Sequence, residues 1–300
     1  MNQLDAKTRK QIVACLVDGA SIRATCRITG AAKKTVLRLI AELGDACDEY
    51  QDRTLRGLSV QRVQCDEIWA FCYAKEKNVP SHKAQEGAGS VWTWTAIDAD
   101  TRLVVSYYVG SRNAGCANRF MRDVASRIVT RVQLTTDGHK AYLYAIGLAF
   151  GGDVDYSQLV KLYGQENVTD GRYSPAKCMG IEERIICGDP DPDFVSTSYV
   201  ERANLTMRMN MRRFTRLTNG FSKKLENHEH AVAIHFMTYN FCNPHSSLGR
   251  RGQKVTPAMA AGVTDHVWTL DEVIDLLPKR QGPRVRIGSA AVAGLAVSSK

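Results

Sequence analysis

Apolar residues in the first 43 positions recur at helical spacing. Ile12, Val13, Leu16 and Val17 fall at i, i+1, i+4 and i+5 and predict an amphipathic helix. Asp18-Gly19 stops it, and Ser21 is a good N-cap for a second. Ile22, Thr25, Cys26 and Ile28 supply that short helix, and Gly30 breaks the chain. A third helix over 35–43 turns Val36, Leu39, Ile40 and Leu43 inward. Two helices joined by a tight Gly-containing turn fit a helix-turn-helix module over 1–45, whose reading helix would present Lys33, Lys34, Thr35 and Arg38 to DNA. A plain three-helix bundle with a basic exterior carries the same pattern. Residues 46–59 are polar and charged without a sustained period, which predicts a linker or short connecting helix.

From Val60 the chain turns β-rich. Residues 60–74 carry Val63, Cys65, Ile68, Trp69 and Phe71, and a polar, turn-prone loop follows over 75–89. Strands are predicted over 91–98 and 102–109, with turn chemistry at 98–101, where Asp98 and Asp100 read as turn residues. A helix over 118–129, a short strand over 133–136 and a helix over 140–148 complete the order β-β-β-α-β-α. Residues 151–195 are rich in Gly, Pro and Asp and read as an irregular insertion with one strand at 181–187. A basic helix is predicted over 196–216, a further one over 227–240 and a small one over 270–277. The 278–300 tail, rich in Gly, Ala and Ser, is expected to be disordered.

Charge narrows the partner. The 300 residues carry a formal net charge of +9, which points to a polyanion: nucleic acid first, an anionic membrane surface second. No apolar run approaches the roughly 20 residues that span a bilayer, and the first residues lack the apolar stretch of a secretory signal. A cytoplasmic protein without membrane contact is therefore expected. The nine cysteines are scattered without a CxxC pair, which argues against a disulfide framework or a zinc ribbon.

Three carboxylates stand out against this background. Asp66 lies inside the first strand, where an unpaired charge is costly. Asp137 ends a strand beside Gly138, which would let a ligand approach closely. Glu201 is alone among Arg202, Arg208, Arg212, Arg213 and Arg216 on the basic helix. Each has a local alternative: Asp66 on a solvated face, with Glu67 as its rival; Asp137 as a helix N-cap; Glu201 closing a capping box with Ser198. Glu201, Leu205, Arg208 and Arg212 would share one helical face, with Val200, Ala203, Met207 and Met211 on the buried side. Hard oxygen ligands converging from separate elements are what two-metal phosphoryl transfer needs.

The chain resembles the insertion-sequence DDE transposases, which are integrase-like. The resemblance rests on the N-terminal helices, Cys65-Asp66-Glu67-Ile68-Trp69, Thr136-Asp137-Gly138 and Tyr199-Val200-Glu201-Arg202. Tyr239-Asn240, Pro244-His245, Ser247-Leu248 and Thr256-Pro257 add to it, so that it covers most of residues 5–262. It implies an α/β fold, an RNase H-like mixed sheet flanked by helices, over 60–248 with the insertion at 151–195 and a C-terminal extension over 249–277. It implies Asp66, Asp137 and Glu201 as catalytic triad and ligands of two Mg²⁺ ions, with Mn²⁺ as substitute. The reaction implied is cleavage and strand transfer of double-stranded DNA at element ends and target, by a homodimer or larger assembly, in a prokaryotic cell. Lys140, Arg202, Arg208 and Arg212 would contact DNA phosphates. Asp137 and Glu201 stand 64 residues apart, longer than the common spacing; the insertion would absorb this, with Glu182 and Glu183 as runners-up. A non-catalytic DNA-binding regulator or decayed transposase is the alternative, and a nuclease without strand transfer a neighbouring one.

Overall fold

The computed structural model of the protein describes residues 4–163, 178–215, 218–250 and 252–278. The predicted disorder of the tail falls outside them beyond residue 278. The chain begins with α1 (Ala6–Val17), α2 (Ile22–Thr29) and α3 (Lys33–Thr54). Asp5 caps α1 by accepting from the Thr8 amide at 2.7 Å, and Ser21 caps α2 as expected, accepting from Ala24 at 3.1 Å. Gly30 ends α2 in the left-handed conformation. The third helix does not stop at Leu43. It runs through most of the expected linker, because Leu43, Cys47 and Gln51 continue its buried stripe at i, i+4 and i+8. Gln51 holds that end in place, donating to the Ala233 carbonyl at 3.2 Å.

The middle of the chain contributes β1 (Arg62–Cys72), the short α4 (Ser81–Ala84), β2 (Gly89–Asp98), β3 (Val104–Gly110), α5 (Ala114–Arg127), β4 (Val132–Thr136) and α6 (Ala141–Phe150). Then come β5 (Val154–Tyr163), β6 (Cys178–Cys187), α7 (Ser198–Asn210), α8 (Leu225–Met237), α9 (Pro257–Ala260) and α10 (Leu270–Asp275). Among the described residues one six-stranded mixed sheet runs in the order β3-β2-β1-β4-β5-β6. β1, β2 and β3 pair antiparallel, β1, β4 and β5 parallel, and β6 closes the edge antiparallel to β5. This is the RNase H-like mixed sheet, flanked by helices, that the sequence led one to expect.

Residues 151–195 correct that expectation in one respect. They are not a mere insertion, since β5 pairs with β4 from Val132↔Val154 to Thr136↔Gln158 and belongs to the sheet itself. Val154 and Tyr156 alternate into the core, but buried Ser157 and Gln158 interrupt the apolar pattern and made the stretch read as irregular. Among the described residues, the edge strand β6 also lies between Asp137 and Glu201.

Helices cover both faces. On one, Cys65, Trp94 and Leu134 pack with Phe120 and Met121 of α5 and Tyr142 of α6, in a core that continues into Val36, Leu39 and Ile40 of α3. On the other, Ile68 and Ala70 of β1 meet Val200, Ala203, Met207 and Met211, the buried side expected for the basic helix, together with Val232 and Phe236 of α8. The basic helix is shorter than expected: α7 ends at Asn210, and Arg212 lies in a separate 3₁₀ turn, Arg212–Phe214. Arg212 therefore does not extend the face of Glu201 and Arg208. Asn240 clamps the π-helical turn Thr238–Cys242 to β3, accepting from the Val104 amide at 2.9 Å and donating to its carbonyl at 3.0 Å.

Candidate active site

The site forms where β4 ends beside the longer β1. β1 and β4 are paired from Arg62↔Gln133 to Cys65↔Thr136. The next residue on each strand is a carboxylate, Asp66 and Asp137. Side chains alternate along β1, so Gln64 and Asp66 face α7, whereas Cys65 and Glu67 face α5 and α6. Beyond Thr136 the β1–β4 ladder stops, and carboxylates from both faces of β1 reach the same place. Carboxylate oxygens of Asp66, Glu67 and Asp137 lie within 4.8 Å of one another.

Each carboxylate is held by local chemistry. Asp137 Oδ1 accepts from the His139 amide at 2.9 Å and closes a tight turn after β4. At Gly138, which was expected to admit a ligand, a Cβ would stand 3.1 Å from a methyl of Val160, so the glycine also lets β5 close in behind the site. Gln64 Oε1 accepts from the amides of Tyr199 and Val200 at 2.8 and 3.2 Å. It thereby caps the first turn of α7, whose N-cap Thr197 makes no side-chain cap of its own. Two residues along the same face, Asp66 Oδ2 accepts from Asn204 Nδ2 at 2.9 Å. The strand thus docks the helix that carries Glu201.

Glu201 is outside the 4.8 Å cluster. Its Oε1 accepts from Thr197 Oγ1 at 2.6 Å and pairs with Lys161 of β5 at 2.5 Å. The Ser198 capping box does not form, since Ser196 rather than Glu201 engages Ser198. Glu201 remains close enough to act on Asp66. Burial, then repulsion from Asp137, and more weakly from Glu201, push the Asp66 carboxyl from its usual 3.8 to about 6.

Glu67, the rival to Asp66, is a third member of the cluster. Its side chain is fully buried. Burial, then Asp137, push its carboxyl to about 8, against the pull of Arg112. The Arg112 guanidinium bridges Glu67 Oε2 at 3.2 Å and Asp137 Oδ2 at 3.3 Å and lies over the Trp92 ring. Glu67 Oε1 and His139 Nε2 are buried without a hydrogen-bond partner among the described residues. Nothing near Arg112 in the sequence marks it for this role, because its partners lie 45 and 25 residues away. Gln64 could have been found, being at i−2 on the face of Asp66.

The runners-up lie outside the 4.8 Å cluster. Glu182 and Glu183 are exposed on β6, and Glu182 is paired with Arg184. Asp98 is a turn residue as expected, accepting from the Asp100 amide at 2.9 Å. Of the residues expected to meet DNA, Lys33, Lys34 and Arg38 are exposed and Thr35 half-buried on the first turns of α3, with Arg38 3.9 Å from Glu42. Lys140 is exposed three residues after Asp137, and Arg202 is exposed beside Glu201. Arg208 is half-buried on α7, and Arg212 exposed beyond its end.

Three acidic groups of this kind, with one guanidinium between them, form a hard-oxygen set suited to a divalent cation. The repulsion that raises Asp66 and the unpartnered Glu67 Oε1 are the features a bound cation would relieve.

No protein-family model matches the chain, and no curated protein does. Among solved structures, a Mos1 transposase paired-end complex with the left transposon end aligns at TM-score 0.24 and 12% identity, over 52% of this chain and 60% of that one. A piggyBac transposase synaptic complex with hairpin DNA aligns at TM-score 0.38 and 11% identity, over 92% of this chain and 71% of that one. A Mos1 strand transfer complex aligns at TM-score 0.27 and 12% identity, over 79% and 77%. The chain spans 60% of the first of these. At such scores the likeness carries no functional argument.

Proposed function

We propose that the protein is a divalent-metal-dependent DNA transposase, cleaving DNA strands at the ends of an insertion element and joining them to a target. The observation that carries the reading is the convergence of Asp66 and Glu67, in the middle of β1, with Asp137, directly after the end of the neighbouring parallel strand β4. Asp66, Asp137 and Glu201 would hold two Mg²⁺ ions, which when bound supply Lewis acidity at the scissile phosphate. Glu201 completes the set by swinging away from Lys161, and Asn204 keeps Asp66 oriented meanwhile. Arg112 holds Asp137 from the opposite side and keeps Glu67 in place. Lys140 and Arg202, exposed beside the carboxylates, receive the flanking phosphates. In the joining step a strand's 3′-hydroxyl oxygen bonds to phosphorus as the target's P–O3′ bond breaks, so no protein side chain is consumed. The net charge of +9 and the lysines at the start of α3 support a DNA partner. The reading includes an assembly of two or more chains, one for each element end.

A second reading draws on one observation. The pairing of Glu201 with Lys161 and Thr197 suits a purely structural carboxylate, as in a DNA-binding regulator that does not cut. Nicking of supercoiled plasmid in Mg²⁺ or Mn²⁺, beside a DNA-binding assay, separates the two. The catalytic reading expects Asp137→Asn and Glu201→Gln each to lower nicking by about 10²-fold or more with binding retained. Wild-type protein that binds DNA and never nicks it would favour the regulator. Glu201→Gln that nicks like wild type would remove Glu201 from the site.

A further inference from the structure

α7 connects the carboxylates to a second, chemically different place. At its far end lies a cavity of about 770 Å³, walled by the α1–α2 turn, the start of α3, residues 210–213 and 219–224, and α8. Gly19 seats the α1–α2 turn there. It has φ +83°, and a Cβ would stand 3.2 Å from the Met209 carbonyl, so the turn rests directly on the last carbonyls of α7. The volume is that of a small-molecule site. Nine residues of helix separate Glu201 from Asn210, or about 14 Å along the axis, so the cavity is distinct from the carboxylate site.

Its walls are one-signed. Arg23, Lys33, Arg212, Arg213, Lys223 and Lys224 line it, and no Asp or Glu does among the described residues. Arg213 is the informative one. It donates to Ser222 Oγ at 2.8 Å and forms no ion pair with a carboxylate among the described residues. Burial pushes its guanidinium down to about 10. Arg213 is half-buried, and a cation partly withdrawn from water without a counter-charge among the described residues is one that a bound anion would stabilise.

The interior has a different character. Leu16, Val17, Leu37 and Ile234 give apolar walls, and Asn210 and Asn227 bring amides. His235 of α8 also lines the cavity, is 6% exposed, and its Nε2 has no hydrogen-bond partner among the described residues. Burial keeps the imidazole neutral, with a pKa of about 4. A simple phosphate would leave the apolar volume unfilled, and a fatty acid would leave His235 and the amides unpaired. A planar heteroaromatic ring carrying a phosphate satisfies both.

We propose that this cavity binds a nucleotide, the base inside against His235 and the phosphate at Arg213 and the cationic mouth. The nucleotide is either free or one unit of a DNA strand. The proposal holds whether or not the carboxylates cut DNA.

The full chain is titrated with mant-dATP, followed by fluorescence, and with fluorescein-labelled dT10, followed by anisotropy. Binding of at least one probe with Kd below about 100 μM is expected. Ala231→Phe fills the cavity without changing charge, and Lys224→Glu reverses an exposed charge at its mouth; each weakens that binding at least tenfold. Leu37→Phe, from the opposite wall, replaces Ala231→Phe where the latter disturbs the far-UV spectrum. Asp66→Asn leaves binding unchanged, which keeps this test apart from that of the catalytic reading. Loss of mant-dATP binding in the filled variant identifies a free nucleotide; loss of dT10 binding alone identifies a strand. The proposal is overturned if neither probe binds, if the cavity-filling variants bind both as wild type does, or if inorganic tripolyphosphate competes as well as dATP.

Discussion

Replacing Asp66 by Asn separates a carboxylate built for metal from one built for structure. In the metal-free protein the ionised carboxylate is held against Asp137 and Glu201 in a buried setting, and its pKa rises from 3.8 to about 6. Folding therefore becomes less favourable as pH rises from 3.8 to about 6, since the folded state retains the proton longer; above 6 the cost is constant. That interval corresponds to roughly 3 kcal/mol, of which burying the introduced amide takes back a part, leaving about 1–3 kcal/mol. The amide oxygen of the variant side chain can still accept from Asn204, as the Asp66 carboxylate does. Metal-free Asp66→Asn should thus be more stable than wild type at about pH 7.5, by about 2–10 °C in Tm, and equal to it or less stable near about pH 4, where only the cost of the amide remains. Adding about 10 mM Mg²⁺ or about 1 mM Mn²⁺ should raise the wild-type Tm and leave the variant's unchanged, because a ligand stabilises only the state that binds it. Differential scanning fluorimetry across pH, with and without metal, reads all of this. A variant less stable than wild type at that pH without metal would refute the reasoning, as would equal metal shifts in the two proteins.

Other outcomes follow from neighbouring contacts. Gln64→Leu removes the acceptor for two amides at the start of α7 and should cost about 1–3 kcal/mol in urea unfolding, with nicking reduced beyond what the stability loss explains. Asn240→Ala leaves the Val104 amide and carbonyl unpaired in the core and should cost a similar amount while DNA binding by the folded fraction is preserved. His228 and His235 are buried neutral, their pKa values pushed down by burial to about 3 and about 4. Their contribution is complete above the ordinary histidine value of 6.5 and is lost as pH falls toward those values, at about 1.4 kcal/mol per pH unit for each. His228→Gln should flatten the acid limb of the stability profile, and an unchanged limb would exclude His228 as its cause.

The sequence by itself determined what depends on neighbours along the chain. Ser21 and Gly30 bounded α2, the β-rich runs marked β1 to β3, and Val200, Ala203, Met207 and Met211 identified the buried face of α7. Asp66 and Asp137 were legible because one interrupts an apolar strand and the other ends one. The helix over 33–54 and the strand over 154–163 were misread for opposite reasons. Polar Asp45, Asp48 and Asp52 hid the buried stripe of the first, and buried Ser157 and Gln158 broke the pattern of the second. Only the tertiary structure decided which carboxylates meet. The parallel register of β1 and β4 places Asp66 beside Asp137, and the end of β4 at Thr136 lets Glu67 join from the other face. Arg112 reaches Glu67 and Asp137 across long chain separations, and Lys161 draws Glu201 aside through the strand that was overlooked. Spacing and caps record short-range preference. The ionisation of a carboxylate, and the cavity at the far end of α7, depend on what packs opposite, which no local window of sequence contains.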